Sequence, residues 1–342
     1  MRETLEHLLD TRDLSAEQAK RAVTTILRGE ANESQVGAFL ALTQAKGVTL
    51  DELVGGARAM RQFLTPVRVP ESVDPQTVID TCGTGGAPKT FNISTASALI
   101  VASCVNLPVR LRVAKHGGKS RSGRGSAEVL AQLGVNIDAP PETQSRCLEE
   151  AGVCFCFAVN HHPAMRFAAG PRKSLGFPTI FNLLGPLTNP ANAPRQLLGV
   201  YDEAKAELVA NALLRLGSTR AMVVHGRDGL DEITTTATTT AFHVRDGVVA
   251  RETIDPADLG IRYTTLDQLR VGTLDEGADL LLSILRGEPS PALDIALLNA
   301  SAALVVGEAV DSLRDGLDAA RAALERGEGE KTLERMRAIS GA

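Results

Sequence analysis

Residues 80–95 form a segment whose residue types suit the binding of a phosphate or diphosphate group. A short strand around 77–80 leads into a Gly-rich loop, and a helix follows. Backbone N–H groups in such a loop, with a helix N-terminus behind it, bind phosphate, and glycines let the backbone come close. The residues that would do this are Gly83, Thr84, Gly85, Gly86, Thr90, Asn92, Ile93, Ser94 and Thr95. Their spacing matches neither a P-loop nor G-x-G-x-x-G.

A second Gly- and Ser-rich loop follows the next predicted strand, and a helix starts after it at Ser126. It carries four cations within ten residues: Lys115, Lys119, Arg121 and Arg124. Ligands of parallel sheets bind outside the carboxyl ends of the strands, so the two loops should face one crevice. Backbone N–H groups opposite several cations suit a ligand with more than one phosphate. The alternative is a solvated basic loop, which the accompanying glycines and hydroxyls disfavour.

A third predicted strand ends in an acidic loop with the sequence Gly229-Leu230-Asp231-Glu232. Adjacent carboxylates can hold a hard cation such as Mg²⁺ that keeps most of its waters. A solvated turn is the alternative and the common fate of an Asp-Glu pair. Beside a polyphosphate site, however, Mg²⁺ is the expected partner.

The region 160–190 holds polar residues with less specific signals. His161 and His162 are adjacent, so they cannot form an i, i+4 metal pair, and 182–190 reads as a stiff loop. Arg172 could bind a carboxylate bidentately, although an interdomain salt bridge is an equal alternative. Cys82 lies in the first Gly-rich loop, but no base is evidently paired with it, which favours a packing role.

The elements that must position these residues fall into two patterns. Residues 1 to about 66 read as helices only, with Ser15/Gln18 and Thr49/Glu52 as capping boxes. Three prolines between 66 and 75 mark a linker. Beyond it, strands alternate with helices, which is typical of a mainly parallel sheet, and a hairpin is expected around Asp246-Gly247 at the sheet edge. The predicted strands lie at 77–80, 110–114, 153–159, 196–201 and 220–225, and the chain after 271 is mostly helical.

Composition excludes several classes of protein. The chain has 342 residues, 44% hydrophobic and 23% charged, with a net charge of −5, no Trp and two Tyr. These values are ordinary for a globular enzyme and disfavour nucleic-acid binding. The apolar runs are too short for a bilayer, the charged N-terminus lacks a signal core, and five cysteines show no C-x-x-C pair. We therefore expect a cytoplasmic protein without nucleic-acid or membrane partners.

The motifs occur in the order found in the anthranilate phosphoribosyltransferase family, which this chain resembles over nearly its whole length. The family motifs are G-T-G-G-D, N-I-S-T, K-H-G-N, L-G-P-L-x-N-P and G-L-D-E. The chain matches them at Gly83–Gly86, Asn92–Thr95, Lys115–Gly117, Leu184–Pro190 and Gly229–Glu232. Each motif alone is weak, and the set together is specific.

The resemblance implies a small helical bundle domain, residues 1–66 with a contribution from about 163–190, hinged to a larger α/β domain, residues 74–342. It implies a homodimer paired through the helical domain. The implied reaction transfers the phosphoribosyl group of phosphoribosyl diphosphate (PRPP) to anthranilate with Mg²⁺ and releases diphosphate, in tryptophan biosynthesis.

The resemblance also implies roles for single residues. The residues implied to bind PRPP are Gly83, Gly86, Thr90, Asn92, Ile93, Ser94, Thr95, Lys115, Lys119, Ser120 and Ser126. Those implied to bind Mg²⁺ are Ser94, Asp231 and Glu232. Those implied to bind anthranilate are Gly83, His116, Gly118 and Arg172, and those implied to be catalytic are Lys115 and His116.

The chain departs from the family motifs at three positions in the two substrate loops. Ala87 stands where the family has an acidic residue, Gly118 replaces the Asn of K-H-G-N, and Lys119 stands where Arg is usual. These departures bear on the acceptor more than on the donor. Three alternatives stay open: a paralogous transferase with another acceptor, a nucleoside phosphorylase-like enzyme, and a non-catalytic binding protein on the same scaffold.

Overall fold

The N-terminal part of the chain folds into four helices. The computed structural model describes residues 1–120 and 123–341, and the predicted cation Arg121 lies outside them. The predicted capping boxes at Ser15/Gln18 and Thr49/Glu52 are present, and Asn32/Gln35 adds one that the sequence analysis did not identify. The helices are α1 (Arg2–Leu9), α2 (Ala16–Leu27), α3 (Glu33–Lys46) and α4 (Leu50–Gln62).

A seven-stranded sheet organises the rest of the chain. Its spatial order is β3-β2-β1-β4-β5-β6-β7, with parallel pairing from β3 through β5 and antiparallel pairing beyond. The strands are β1 (Val78–Gly83), β2 (Arg112–Gly117), β3 (Val153–Phe157), β4 (Arg195–Gly199), β5 (Arg220–Gly226), β6 (Thr239–Arg245) and β7 (Val248–Ile254). The last two form the predicted hairpin, and Asp246 and Gly247 both take positive φ, as a two-residue turn requires.

Eleven further α-helices lie in the described part of the chain after β1. Those before β5 are α5 (Ile93–Ser103), α6 (Ser126–Gln132), α7 (Pro141–Arg146), α8 (Ala158–His161), α9 (Arg166–Leu175), α10 (Ile180–Leu184) and α11 (Glu203–Arg215). Those after β7 are α12 (Leu274–Leu285), α13 (Pro291–Val306), α14 (Leu313–Glu325) and α15 (Glu328–Ser340). None of the described helices is long and apolar enough to cross a membrane.

The strands bury apolar side chains on both faces of the sheet, as parallel strands covered by helices do. Leu197 and Val224 point into a core with α5 and α12–α15, whereas the alternate residues Leu198 and Val223 point into a core with α1–α4 and α11. The four-helix bundle therefore packs on the layer that covers one face of the sheet. This arrangement confirms the predicted fold class.

Several local predictions were wrong. The strands predicted at 77–80 and 110–114 continue to Gly83 and Gly117, so Cys82 and Lys115 lie in strands and not in the loops. The strand predicted to end at 159 ends at Phe157, and Ala158–His161 form a helical turn instead. The stiff loop predicted for 182–190 begins inside α10 and continues as a 3₁₀ turn at Gly185–Leu187. The Thr179 backbone N–H donates to Asn182 Oδ1 at 3.0 Å at the start of α10, while the buried Thr179 hydroxyl has no hydrogen-bond partner among the described residues.

The domain division at 66–74 stays a prediction. Residues 163–190 share the core of α1–α4 through Ala168, Ile180 and Leu184. The same core also includes the strand residues Leu198 and Val223. The packing of side chains alone therefore does not separate a helical domain from an α/β domain.

Candidate active site

Four neighbouring parallel strands end in a glycine at one edge of the sheet. They are β1 at Gly83, β2 at Gly117, β4 at Gly199 and β5 at Gly226. The loops that leave these strands carry most of the predicted site residues. The crevice is therefore at the carboxyl edge, where ligands of parallel sheets bind.

The acidic loop after β5 lies directly against the ends of β1 and β4. A Cβ on Gly199 would overlap the Asp231 carbonyl oxygen, and a Cβ on Gly83 would overlap Asp231 Oδ2. The Gly85 N–H donates to the same Oδ2 at 2.9 Å. The glycines at these strand ends are thus required by close packing, and the first predicted loop and the acidic loop meet.

Lys115 lies at the centre of the crevice. Its ammonium group donates to the Thr81 carbonyl at 2.8 Å and to Ser94 Oγ at 3.0 Å, and the residue is 3% exposed. Burial lowers the pKa of Lys115, while Asp80 and the carboxylates of the acidic loop oppose that shift. The structure therefore holds a cation where two predicted phosphate-binding loops converge.

The two carboxylates of the acidic loop are recessed beside this lysine. Burial raises the pKa of Asp231, and burial together with the charge of Asp231 raises that of Glu232 well above its usual value. Lys115 partly offsets the negative charge, and the Ser94 backbone N–H near Glu232 also lowers the pKa of that carboxyl. Crowded carboxylates of this kind are stabilised by a divalent cation.

The donor set fits Mg²⁺. Asp231, Glu232 and the Ser94 hydroxyl supply oxygen ligands, which Mg²⁺ prefers. Within residues 1–120 and 123–341, no three His, Cys, Asp or Glu side chains converge into a metal cage. A site with few protein ligands suits an ion that keeps waters and binds substrate phosphates.

Two residues that the sequence analysis did not select hold the acidic loop in place. Asp228 accepts hydrogen bonds from the Leu230 N–H and the Thr234 hydroxyl. Asn299, buried in α13, bonds both the N–H and the carbonyl of Ile233, at 2.9 and 2.8 Å. Asp228 could have been found from its motif, but Asn299 lies 66 residues away in the chain and carries no local signal.

The helices that follow the two phosphate-binding loops are joined at their starts. Thr95 donates to Ser126 Oγ at 2.8 Å, and Asn92 donates to the Arg124 carbonyl at 3.2 Å. Arg124 itself turns away to the carbonyls of Val271 and Gly272. It therefore anchors the loop to the rim, which differs from the ligand-facing cation that the sequence suggested.

A buried polar cluster lies under the crevice and was also missed. Asp80 accepts from the His116 backbone N–H at 3.0 Å and from Gln196 at 3.3 Å. Gln196 also donates to Cys82 Sγ at 3.1 Å. Burial, and then the charge of Asp80, raises the pKa of Cys82 well above its usual value. A thiol held in its neutral form is a poor nucleophile, which agrees with the packing role expected for Cys82.

Some predicted donor residues lie at the margin of this network. Thr90 donates to the Phe91 carbonyl at 3.0 Å, and Gly86 takes φ +95° beside the Tyr201 ring. Lys119 is exposed, 5.6 Å from the Phe157 ring centroid. Ser120 accepts from the Arg124 N–H at 3.0 Å. They border the crevice around Lys115.

Of the predicted acceptor residues, His116 lies near the end of β2, Gly118 directly follows that strand, and Arg172 lies in α9. His116 is buried, and its ring contacts His162, Nε2 to Nε2, at 3.1 Å. Gly118 is next to open space, because a Cβ there would meet only Ala158 Cβ at 3.9 Å. The Arg172 guanidinium lies 5.6 Å from the Phe181 ring centroid. His162 was noted in the sequence but given no role.

This combination of a helical bundle, a mainly parallel sheet and a cation-and-carboxylate crevice defines the class of protein. Residues 2–64 match the helical bundle domain of the glycosyl transferase family, and residues 75–330 match the a/b domain of the same family.

Comparison with individual proteins shows which members of this broad family the chain is similar to. The anthranilate phosphoribosyltransferase of Thioalkalivibrio sulfidiphilus is 44% identical over 338 residues, covering 98% of this chain and 97% of that one. The crystal structure of the enzyme from Thermus thermophilus is 35% identical, has a TM-score of 0.91 and covers 99% of both chains. The Saccharomyces cerevisiae enzyme in complex with PRPP and Mg is 25% identical with a TM-score of 0.87, over 98% and 96% of the chains. The chain belongs to the anthranilate phosphoribosyltransferase family.

Proposed function

We propose that this chain transfers the phosphoribosyl group of PRPP to the amine of anthranilate and releases diphosphate, as a step of tryptophan biosynthesis. The observation that carries the proposal is the convergence of the Gly83–Gly86 loop, Lys115 and the Asp231-Glu232 pair at one sheet edge. It joins N–H donors, a buried cation and a pair of carboxylates suited to Mg²⁺. The relatives named for this reaction cover nearly the whole chain.

Stabilisation of the leaving diphosphate is the main task of the donor loops. The bond from the ribose to diphosphate breaks through an oxocarbenium-like state, so charge grows on the leaving group. Fixed N–H groups and cations aimed at such charge supply most of the rate acceleration in comparable sites. We assign this task to Lys115 and to the first loop with its helix, through Gly83, Gly86, Thr90, Asn92, Ile93, Ser94 and Thr95. Lys119, Ser120 and Ser126 border the same ligand from the second loop.

Ser94, Asp231 and Glu232 would hold Mg²⁺. The ion supplies electrostatic stabilisation of the diphosphate oxygens when bound. The Gly85 N–H donates to Asp231 Oδ2 at 2.9 Å and so orients that carboxylate. The protein thus fixes one of its oxygen ligands before substrate arrives.

The acceptor site lies beside His116 and Gly118, with Gly83 between donor and acceptor. The anthranilate amine is itself a nucleophile, so it needs orientation more than activation. Its carboxylate needs a cation, and we assign Arg172 because its planar fork suits bidentate binding.

Arg172→Ala tests that assignment. We expect the acceptor KM to rise about tenfold or more, the loss of a charge-assisted hydrogen bond, with a PRPP KM changed by less than about twofold. Steady-state kinetics with each substrate varied in turn gives both constants. Equal rises in both would remove Arg172 from the acceptor site.

We further propose that the chain works in the cytoplasm as a homodimer paired through the helical domain. The five cysteines are free and buried, which suits a reducing compartment. Light scattering after gel filtration measures the mass, and a monomer would overturn the dimer.

The activity assay uses the loss of anthranilate fluorescence in the presence of PRPP and Mg²⁺. Saturable loss that needs both PRPP and Mg²⁺ supports the proposed reaction. PRPP binding without any loss would favour a second candidate, a transferase with a larger aromatic acceptor. The open space at Gly118 is the observation that favours this second candidate.

A further inference from the structure

Hydrogen bonds fix the backbone of the first Gly-rich loop as far as Gly85. The Thr84 N–H donates to the Gly199 carbonyl at 2.9 Å, and the Gly85 N–H donates to Asp231 Oδ2 at 2.9 Å. In the described part of the chain, the Gly86 N–H forms no hydrogen bond. Gly86 therefore offers an N–H group to a ligand, but no hydrogen bond of that group holds it in place.

The conformation at Gly85 and Gly86 is one that few other residue types adopt. The φ angle is +66° at Gly85 and +95° at Gly86, where a residue with a Cβ is strained. Glycine also has the widest choice of other conformations, so an unsupported loop would lose entropy when a ligand orders it. A side chain that holds Gly86 before the ligand arrives would remove part of this cost.

The ring of Tyr201 provides such a contact. A Cβ on Gly86 would lie 3.4 Å from Tyr201 Cδ1, 3.5 Å from Cγ and 3.8 Å from Cε1, which are van der Waals distances. In the described part of the chain, these ring atoms are its nearest neighbours apart from the residues on either side of Gly86. The Tyr201 N–H also donates to Thr84 Oγ1 at 3.3 Å. Tyr201 therefore contacts the loop twice, through its backbone and through its ring.

The Tyr201 ring is itself held by the start of α11. Lys205 Nζ donates to the Tyr201 hydroxyl at 2.9 Å and lies 5.0 Å from the ring centroid. The same ammonium group lies 3.4 Å from Asp202 Oδ2. Asp202 in turn caps α11 by accepting from the Ala204 N–H at 3.0 Å. The orientation of the ring is thus set by a helix terminus and does not depend on the loop that it contacts.

We propose that Tyr201 is a positioning residue for diphosphate binding: its ring keeps Gly86 in the conformation in which the first Gly-rich loop receives this ligand. The inference rests on the proposed function, because it takes the diphosphate of PRPP as the ligand of the loop. Tyr201 acts through Gly86 and does not touch the ligand. Lys205 contributes by fixing the orientation of the ring.

Three variants separate the ring from its hydroxyl. Tyr201→Ala removes the ring that contacts Gly86. Tyr201→Phe keeps the ring and removes only the hydrogen bond from Lys205. Tyr263→Ala is the matched control, because Tyr263 is the other tyrosine of the chain, is 50% exposed and donates to Asp255.

Proteolysis without substrate measures the loop directly. Lys89 follows Gly86 closely in the chain and is exposed, so trypsin cleavage after Lys89, located by mass spectrometry, reports how often the loop leaves its place. We expect cleavage there to be at least about fivefold faster in Tyr201→Ala, and within about twofold of the unchanged chain in Tyr201→Phe and Tyr263→Ala.

Two results of the proteolysis would overturn the proposal. The first is an equal rate of cleavage after Lys89 in Tyr201→Ala and in the unchanged chain. The second is an equal acceleration after Lys331, which is exposed on α15. That result would mean general unfolding and would reduce Tyr201 to a structural residue.

Steady-state kinetics relate the loop to PRPP. A loop that is ordered only on binding weakens the binding of PRPP but reaches the same bound state. Tyr201→Ala should therefore raise the PRPP KM about tenfold, while kcat and the anthranilate KM change by less than about twofold. Tyr201→Phe should stay within about threefold in the PRPP KM. An equal rise in Tyr201→Phe would assign the effect to the hydroxyl, and a loss confined to kcat would place it in the transition state; either would overturn the positioning role.

The inference and the proposed function fail on different results. Faster cleavage after Lys89 in Tyr201→Ala, with no anthranilate turnover by the unchanged chain, would support the contact between Tyr201 and the loop and count against the proposed reaction. Anthranilate turnover with the same PRPP KM in Tyr201→Ala and the unchanged chain would overturn the inference and support the proposed reaction.

Discussion

The proposed donor half of the site, formed by residues 83–95 with Lys115, Asp231 and Glu232, contrasts with the proposed acceptor half, formed by His116, Gly118, His162 and Arg172. In the donor half, charged groups are tied to the backbone and to one another, as in the contacts of Lys115 with Thr81 and Ser94. In the acceptor half, the buried contact joins two neutral rings, and Gly118 borders open space.

The difference follows the charge that each half must handle. A leaving diphosphate gains charge, and only groups fixed beforehand stabilise it without reorganisation. An aromatic amine enters uncharged and needs a shaped, neutral surface. Substitutions should therefore affect the donor half through rate and the acceptor half through KM.

The largest effect is expected for Lys115→Met. Removing a buried cation from the leaving-group site should lower kcat/KM for PRPP by about 10² to 10³, the range found for lost transition-state donors. Steady-state kinetics checks this, with Lys119→Met as the control, since Lys119 is exposed at the rim and should cost less. If the two variants lost equal activity, the central position of Lys115 in the donor half would be wrong.

The double variant Asp231→Asn/Glu232→Gln is expected to have the next largest effect. The amides keep an oxygen acceptor for Gly85 but remove the charges that attract Mg²⁺. The Mg²⁺ concentration for half activation should rise at least about tenfold. Without Mg²⁺, the melting temperature should rise by about a few degrees, because two carboxylates with raised pKa values no longer repel each other.

Asp279→Asn, an exposed carboxylate on α12, is the control for the double variant and should change neither quantity. An unchanged Mg²⁺ titration in the double variant would place the metal elsewhere.

A pH dependence of stability is expected from the acceptor half. The pKa of His162 is about 4 in the folded chain, compared with the ordinary histidine value of 6.5. Between these two pH values the unfolded chain therefore binds a proton at His162 that the folded chain does not bind. The free energy of unfolding should fall as pH drops from about 7 to about 4, by about 3 kcal/mol for this residue. Urea titrations of the unchanged chain and of His162→Gln isolate this contribution. Parallel curves would mean that the buried ring is not held neutral.

The smallest effect is expected for Gly118→Asn. The position has room for a Cβ, so the fold should tolerate the side chain. An added amide can bond the acceptor, worth about 1 kcal/mol or less, so the anthranilate KM should fall up to about fivefold. Larger ring-substituted anthranilates should bind worse in this variant. A rise in the anthranilate KM would show that the open space is already used by the natural acceptor.

The grouping of the proposed donor residues at one sheet edge was largely predictable from the sequence because they occur in local motifs. The strand-loop-helix order of 80–95 and the Asp231-Glu232 pair need no distant partner to be recognised. The capping boxes at Ser15 and Thr49 fixed the helix starts in the same way.

What could not be predicted depends on contacts between distant segments. His116 and His162 are 46 residues apart, and only the return of the chain through β3 and α8 brings their rings together. The turn of Arg124 toward Val271 and Gly272 depends on where the helical layer after β7 packs. The helical turn α8 has only 4 residues, too few to show a helical periodicity, which explains the misplaced strand end at 159.

Two hydrogen bonds between the Asn299 side chain and the Ile233 backbone attach the acidic loop to α13, a helix in the middle of the apolar core. A loop anchored in this way does not open on its own, because separating it exposes a buried amide on α13. The Ile233 amide should consequently exchange its hydrogen only when the whole core opens. On gradual heating, the ability to bind a divalent cation should then disappear in the same cooperative transition as the sheet.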